Sequence, residues 1–188
     1  MLDYAGLYKP LHEASGGKFF GGKIRGIDTV VDLVRRTKPE RLLDYGSGKG
    51  RQYLVKRVHE RWGGLLPHCY DVGVAELAER PDGKFDGIVC ADMMEHIAPE
   101  DVDAVLADVF SFIRIRQTPM YSLGPALQSF VYFHISCVPS THKYLLDGRN
   151  VHLCIEPPEW WNEKLARFQR DGLIIEARYE TESRNEGG

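Results

Sequence analysis

The stretch "LLDYGSGKG", residues 42–50, places two aliphatic residues, an acid and three alternating glycines in one line. A short apolar run that breaks into glycine marks a buried strand turning into a loop, since glycine enters the left-handed backbone region without a steric cost. The next segment, "RQYLVKRVHERW" (51–62), reads as a helix with Leu54, Val55, Val58 and Trp62 facing inward, and Gly63 and Gly64 stop it. What the turn holds is decided by its surroundings.

Upstream, Ile27, Val30, Val31 and Val34 stand at i, i+3, i+4 and i+7 and share one helix face, which Pro39 ends. Downstream, "HCYDV" (68–72) and "FDGIVCAD" (85–92) read as short strands, each ending in an acid. A helix starting near Pro99 carries Val102, Val105, Leu106, Val109 and Ile113 on one side. The proline-bearing loop "QTPMYSLGPALQS" (117–129) leads into "FVYFHISCV" (130–138), the most β-like run in the chain. "EWWNEKLARF" (159–168) is a helix with at least one of Trp160 and Trp161 in the core, and "GLIIEARY" (172–179) alternates as a half-buried closing strand. Strands alternating with helices predict an α/β, Rossmann-like, doubly wound and mostly parallel sheet with helices on both faces, a three-layer αβα sandwich. Ligands of such sheets sit at the carboxyl ends of the strands, where the glycine loop, Asp71 and Asp92 all fall.

The 188 residues suit a single domain. We expect an irregular arm over residues 1–25, which could serve as a lid, then a core over 26–180 and a disordered tail over 181–188. The arm mixes Tyr4, Tyr8, Phe19 and Phe20 with the glycine pairs at 16–17 and 21–22. A net charge of −3 with 27% charged residues advertises no large nucleic-acid footprint, so nucleic-acid partners are not expected. No apolar run approaches the roughly 20 residues that span a bilayer, and the N-terminal stretch carries acids and a proline, which together give the expectation of a cytoplasmic protein with no membrane partner. Cys69, Cys90, Cys137 and Cys154 form no C-x-x-C pair and read as free thiols. Oligomeric state stays open.

Three ligands compete for the glycine turn. A phosphate-cradling P-loop needs G-x-x-x-x-G-K-[ST], but Gly48-Lys49 is followed by Gly50 and the position five before Gly48 is Leu43. A dinucleotide turn wants G-x-G-x-x-G, and counting from Gly46 and Gly48 its third glycine is Arg51 here. What remains is D-x-G-x-G-x-G, made by Asp44, Gly46, Gly48 and Gly50. With "FDGIVCADMMEHI" (85–97), which is similar to an F-D-x-[IV]-x-x-x-[DN]-x-[LM]-E-H stretch, the chain resembles the class I S-adenosylmethionine-dependent methyltransferases. The segment from Val138 to Leu165, with "GRNVHLCIEPPEWWNEKL", resembles the loop with histidine that precedes a helix in small ubiquinone-biosynthesis-type members. The resemblance covers roughly residues 26–170, outside the arm and the loop at 117–129.

The resemblance implies S-adenosylmethionine as cofactor, S-adenosylhomocysteine as product, and methyl transfer to an oxygen or nitrogen of a small-molecule acceptor. It places Asp44, Tyr45, Gly46, Ser47, Gly48, Gly50, Asp71 and Asp92 at the cofactor, with Asp71 on the ribose hydroxyls. Only fourteen positions separate Asp71 from Phe85, so the adenine side is shortened; its contacts stay open, with "GVAEL" (73–77) the nearest segment. In-line positioning of the acceptor carries most of the rate, and His96, Glu95 and His152 are the candidate bases if the acceptor is a hydroxyl. Each has a bland alternative as a structural hydrogen-bonding residue. No metal is expected. "EPPEW" (156–160) differs in identity and position from the [DN]-P-P-[YFW] motif of amino-methylating DNA enzymes. Two alternatives remain: a module that binds the cofactor without turnover, and a nicotinamide-dependent oxidoreductase.

Overall fold

The computed structural model describes residues 1–14, 24–118, 120, 121, 124 and 126–182. Five strands, β1 (Leu42–Tyr45), β2 (His68–Tyr70), β3 (Gly87–Ala91), β4 (Ser129–Ser136) and β5 (Leu173–Glu180), form one open sheet in the order β2-β1-β3-β4-β5. Every pairing is parallel, with Leu43 opposite both His68 and Ile88, and Val131 opposite both Ile88 and Ile175.

Parallel strands covered on both faces must be apolar on both, and the period of two then sends alternate residues to opposite cores. In β4, Val131, Phe133 and Ile135 enter one core while Phe130 and Tyr132 enter the other. The first core is closed by Val105, Leu106 and Val109 of α4 (Val102–Ser111) and by Trp161 and Leu165 of α5 (Pro158–Ala166). The second is closed by Val30, Val31, Leu33 and Val34 of α2 (Ile27–Thr37), with Tyr53 and Trp62 beside them. This is the αβα sandwich that the alternation predicts.

Three expectations are corrected. The helix read over 51–62 is only α3 (Arg51–Leu54), followed by a 3-10 turn at Val58–Trp62, and Arg57 between them takes a left-handed φ of 51°. Leu54 and Val55, read as core, are 79% and 65% exposed. Their place is taken by Gln52 and Tyr53, which turn inward to a buried carboxylate described below. The stretch read as an irregular arm contains α1 (Tyr4–Ala14), while residues 15–23, with Phe19, Phe20 and both glycine pairs, lie outside the described residues. Tyr4, Tyr8 and His12 stand at i, i+4 and i+8 and form its inner face, and the Asp3 carboxylate caps it by accepting from the Gly6 amide at 2.9 Å. The proposed tail has its first two residues described; 183–188 lie outside.

One ion pair at the amino end of β3 locks two connections. Asp86 is fully buried; its Oδ1 accepts from Arg114 Nε at 2.7 Å and its Oδ2 from the amides of Glu40 and Arg41 at 2.8 and 3.3 Å. Asp86→Ala leaves two amides without an acceptor while Arg114, near the surface, can rehydrate. A loss of about 2–4 kcal/mol is expected, read as a lower urea midpoint with unchanged slope.

Candidate functional site

The chain runs from β1 to β2 on one side and then to β3 on the other, so the loops leaving β1 and β3 diverge. This switch point is where an open parallel sheet has room for a ligand. A cavity of about 810 Å³ fills it, bounded by the glycine loop, Asp71, Asp92, Glu95, His152 and the inner face of α1. That volume accommodates a nucleoside and a second small molecule together.

The glycine loop is built from left-handed residues, with φ of 79°, 55° and 63° at Gly46, Gly48 and Gly50. A Cβ on Gly46 would come within 2.3 Å of Met93 Cγ, because the loops after β1 and β3 touch there. The amides of Gly46 and Ser47 donate to Tyr70 O, that of Gly48 to Asp71 Oδ2 at 2.7 Å, and that of Gly50 to Ser47 O. A phosphate cradle requires such amides to point at the ligand. Here four of them are spent within the protein, the Gly48 amide on a carboxylate. Gly46, Ser47, Gly48 and Tyr45 line the cavity, whereas Gly50 lies behind the wall as the residue that starts α3. The Tyr45 hydroxyl donates to Asp108 at 2.8 Å.

Asp71 accepts from two amides, Gly48 on Oδ2 and Gly73 on Oδ1 at 2.9 Å, and lines the cavity. His12 of α1 brings its Nε2 to 3.9 Å from Oδ1 and was not foreseen; the i, i+4 spacing from Tyr4 and Tyr8 was the signal for it. Asp44 lies beneath the loop. Its Oδ2 accepts from Gln52 Nε2 and from the Tyr53 hydroxyl, both at 2.8 Å, so its hydrogen bonds brace the loop from below. Burial, only partly offset by these bonds, pushes its pKa from near 3.8 up to about 6.

Asp92 takes φ 55°, a conformation rare for a side-chain-bearing residue. Both oxygens are engaged: Oδ1 with His134 Nδ1 at 2.6 Å and Oδ2 with Arg25 Nε at 3.1 Å, and Arg25 also pairs with Glu180. Asp92 thereby ties the ends of β3, β4 and β5 together at the cavity wall. Arg25 and His134 were missed because each acquires its meaning only through strand order.

The three candidate bases do converge. Glu95 is 1% exposed, and its backbone carbonyl accepts from the amides of Leu153 and Cys154 at 2.7 and 3.0 Å, which pins the loop after β4 onto the loop after β3. That pairing carries His152 to His96, with ring centroids 5.1 Å apart. Burial drives the Glu95 carboxyl well above the usual carboxylate range, with the nearby Asp92 charge adding to it. Burial first, and then the neighbouring His152, lowers His96 to about 4, so its imidazole is neutral at pH 7.

The inner face of α1 closes the cavity. The Tyr4 hydroxyl donates to Asp101 Oδ2 at 2.8 Å and accepts from the Ala98 amide, and Lys49 Nζ donates to His12 O at 2.7 Å. The Tyr8 hydroxyl reaches the carbonyls of His96 and Val151, each at 2.9 Å. The segment expected to act as a lid is thus seated over the site as far as Ala14.

No family model and no solved structure matches the chain. Over 114 residues it is 25% identical to the macrolide export ATP-binding/permease protein MacB of Shewanella sp. (strain W3-18-1), covering 61% of this chain and 18% of that protein. The chain therefore spans less than a fifth of the exporter's length. Among the described residues, no helix is long and apolar enough to cross a membrane.

The buried Asp44 generates a pH signature. Its folded pKa lies above the unfolded value, so the folded state holds the proton more tightly and loses this stability as pH rises from about 4 to about 6. Asp44→Asn removes the titration. Relative to the parent, the variant is expected to gain about 2–3 kcal/mol between pH 4 and pH 7 in urea titrations.

Proposed function

We propose that this protein is an S-adenosylmethionine-dependent methyltransferase acting on an oxygen or nitrogen of a small-molecule acceptor. The observation that carries the reading is Asp71: a carboxylate at the end of β2, held by the Gly48 and Gly73 amides on the wall of the switch-point cavity. Each of its oxygens keeps a lone pair beyond the amide bond, and a carboxylate suits the paired hydroxyls of a ribose. The residues fit the cofactor, since a loop with its amides spent internally and an acid beside it favours a ligand without phosphates.

Bound there, S-adenosylmethionine supplies an electrophilic methyl group, and the protein's task is placement. The glycine loop and Asp71 hold the nucleoside, Tyr4 and Tyr8 help to exclude water from above, and Glu95, His96 and His152 stand where an acceptor proton must go. ATP binding, which the name of the Shewanella exporter states for that protein, calls for a P-loop. The nearest match in this chain, residues 17–24, ends in Ile24 where a hydroxyl is needed.

Calorimetric titration tests the binding half of this reading. S-adenosylhomocysteine is expected to bind, NADH and ATP are not, and Asp71→Asn is expected to weaken binding by about 10- to 100-fold, as loss of a charged hydrogen-bond acceptor does. Binding of NADH alone overturns it. Transfer of a tritiated methyl group into a small-molecule extract separates turnover from binding without turnover.

A further inference from the structure

We infer that Glu95, His96 and His152 form a binding site for one divalent first-row transition-metal ion, with its open coordination positions facing the cavity. One ligand atom from each residue lies within 4.8 Å of the other two. Donors about 2.0–2.2 Å from a common tetrahedral ion stand roughly 3.3–3.6 Å apart, so side-chain rotations that bring these atoms together by up to about an ångström close the site.

Four further observations point to an ion rather than to a packed polar cluster. The Nδ1 atoms of His96 and His152 lie 2.8 and 2.6 Å from the carbonyls of Val151 and Val138. A carbonyl only accepts, so each Nδ1 carries the proton and each lone pair is on Nε2. That is the outer-sphere arrangement by which proteins orient metal-ligating histidines. Second, Glu95 Oε2 is buried with no hydrogen-bond partner among the described residues, and a cation there supplies the partner that this buried oxygen lacks. Third, the frame is stiff. The Glu95 carbonyl is bonded to the Leu153 and Cys154 amides, and the Tyr8 hydroxyl bridges the carbonyls of His96 and Val151. Fourth, all three residues line the cavity, which leaves an approach for a further ligand. Two imidazoles and one carboxylate suit zinc, manganese, cobalt or iron(II) better than calcium or magnesium.

The role of the ion rests on the methyltransferase reading: an acceptor hydroxyl takes an open position, where the ion lowers its pKa so that its proton passes to solvent, the three ligands then no longer serving as bases; the oxygen takes the methyl group and the C–S bond electrons leave on S-adenosylhomocysteine. The site itself does not rest on it.

Tag-free protein stripped with chelator and dialysed separately against Zn²⁺, Mn²⁺ or Co²⁺ tests the site by elemental analysis, with the visible absorption of Co²⁺ as a second readout. One equivalent of at least one metal per chain is expected. Affinity is expected to fall at least tenfold in His152→Ala, which alters a partly exposed loop, and in the isosteric Glu95→Gln. Thermal melts of the metal-free variants serve as the folding control. No stoichiometric metal, or equal binding by the parent and both folded variants, overturns the site. Titration of the same parent samples with S-adenosylhomocysteine keeps the two claims apart: metal without nucleoside binding upholds the site and sinks the methyltransferase reading, and nucleoside without metal does the reverse.

Discussion

A 2.7 Å hydrogen bond from the Gly48 amide to the Asp71 carboxylate joins the loop after β1 to the loop after β2, and the site depends on it. It consumes a backbone donor that a phosphate-binding turn would keep for its ligand, and it sets a negative charge on the cavity wall. The same carboxylate accepts from Gly73 and so also fixes the start of the short β2–β3 connection. Both loops can meet only because β1 and β2 are parallel neighbours, with Tyr45 opposite Tyr70. Sheet order, loop conformation and the electrostatics of the site are therefore one constraint.

Buried polar groups extend that constraint outward. Asp44 supports the glycine loop from below through Gln52 and Tyr53, and meeting its needs turns α3 so that Leu54 and Val55 face solvent. An unpaired buried carboxylate costs more than two exposed aliphatic side chains, which is why hydrogen bonding overrides hydrophobic register here. Asp92 does the same for the other side of the cavity, accepting a left-handed backbone in exchange for contacts with His134 and Arg25.

These same residues mark how much was legible in the sequence. The sheet was readable because β3 and β4 are continuous apolar runs bounded by turn residues, and α2 and α4 because their apolar residues keep a period near 3.6. The glycine loop, Asp71 and the Glu95-His96 pair were readable because they lie at strand ends. The length of α3 was not, since the pattern of Leu54, Val55, Val58 and Trp62 is helical and only the partner of a buried acid reveals otherwise. Nor was α1, where Gly6 and Pro10 mask a stripe of Tyr4, Tyr8 and His12 whose partners are about 60 to 140 residues away. His152 was legible as a candidate, but its place beside His96 follows from the Glu95 carbonyl accepting from Leu153 and Cys154, a pairing no local pattern encodes.

The ligand that occupies the cavity between the ends of β1 and β3 decides the function. A crystal structure of the protein grown with S-adenosylhomocysteine tests this most directly. The amino-acid portion of the ligand is expected over the turn at Gly46 and Gly48, the ribose hydroxyls within hydrogen-bond distance of Asp71, and the sulfur directed toward Glu95, His96 and His152. Density for the ligand elsewhere on the molecule, or an Asp71 that touches only the amides of Gly48 and Gly73 while the ligand lies in the cavity, would contradict it.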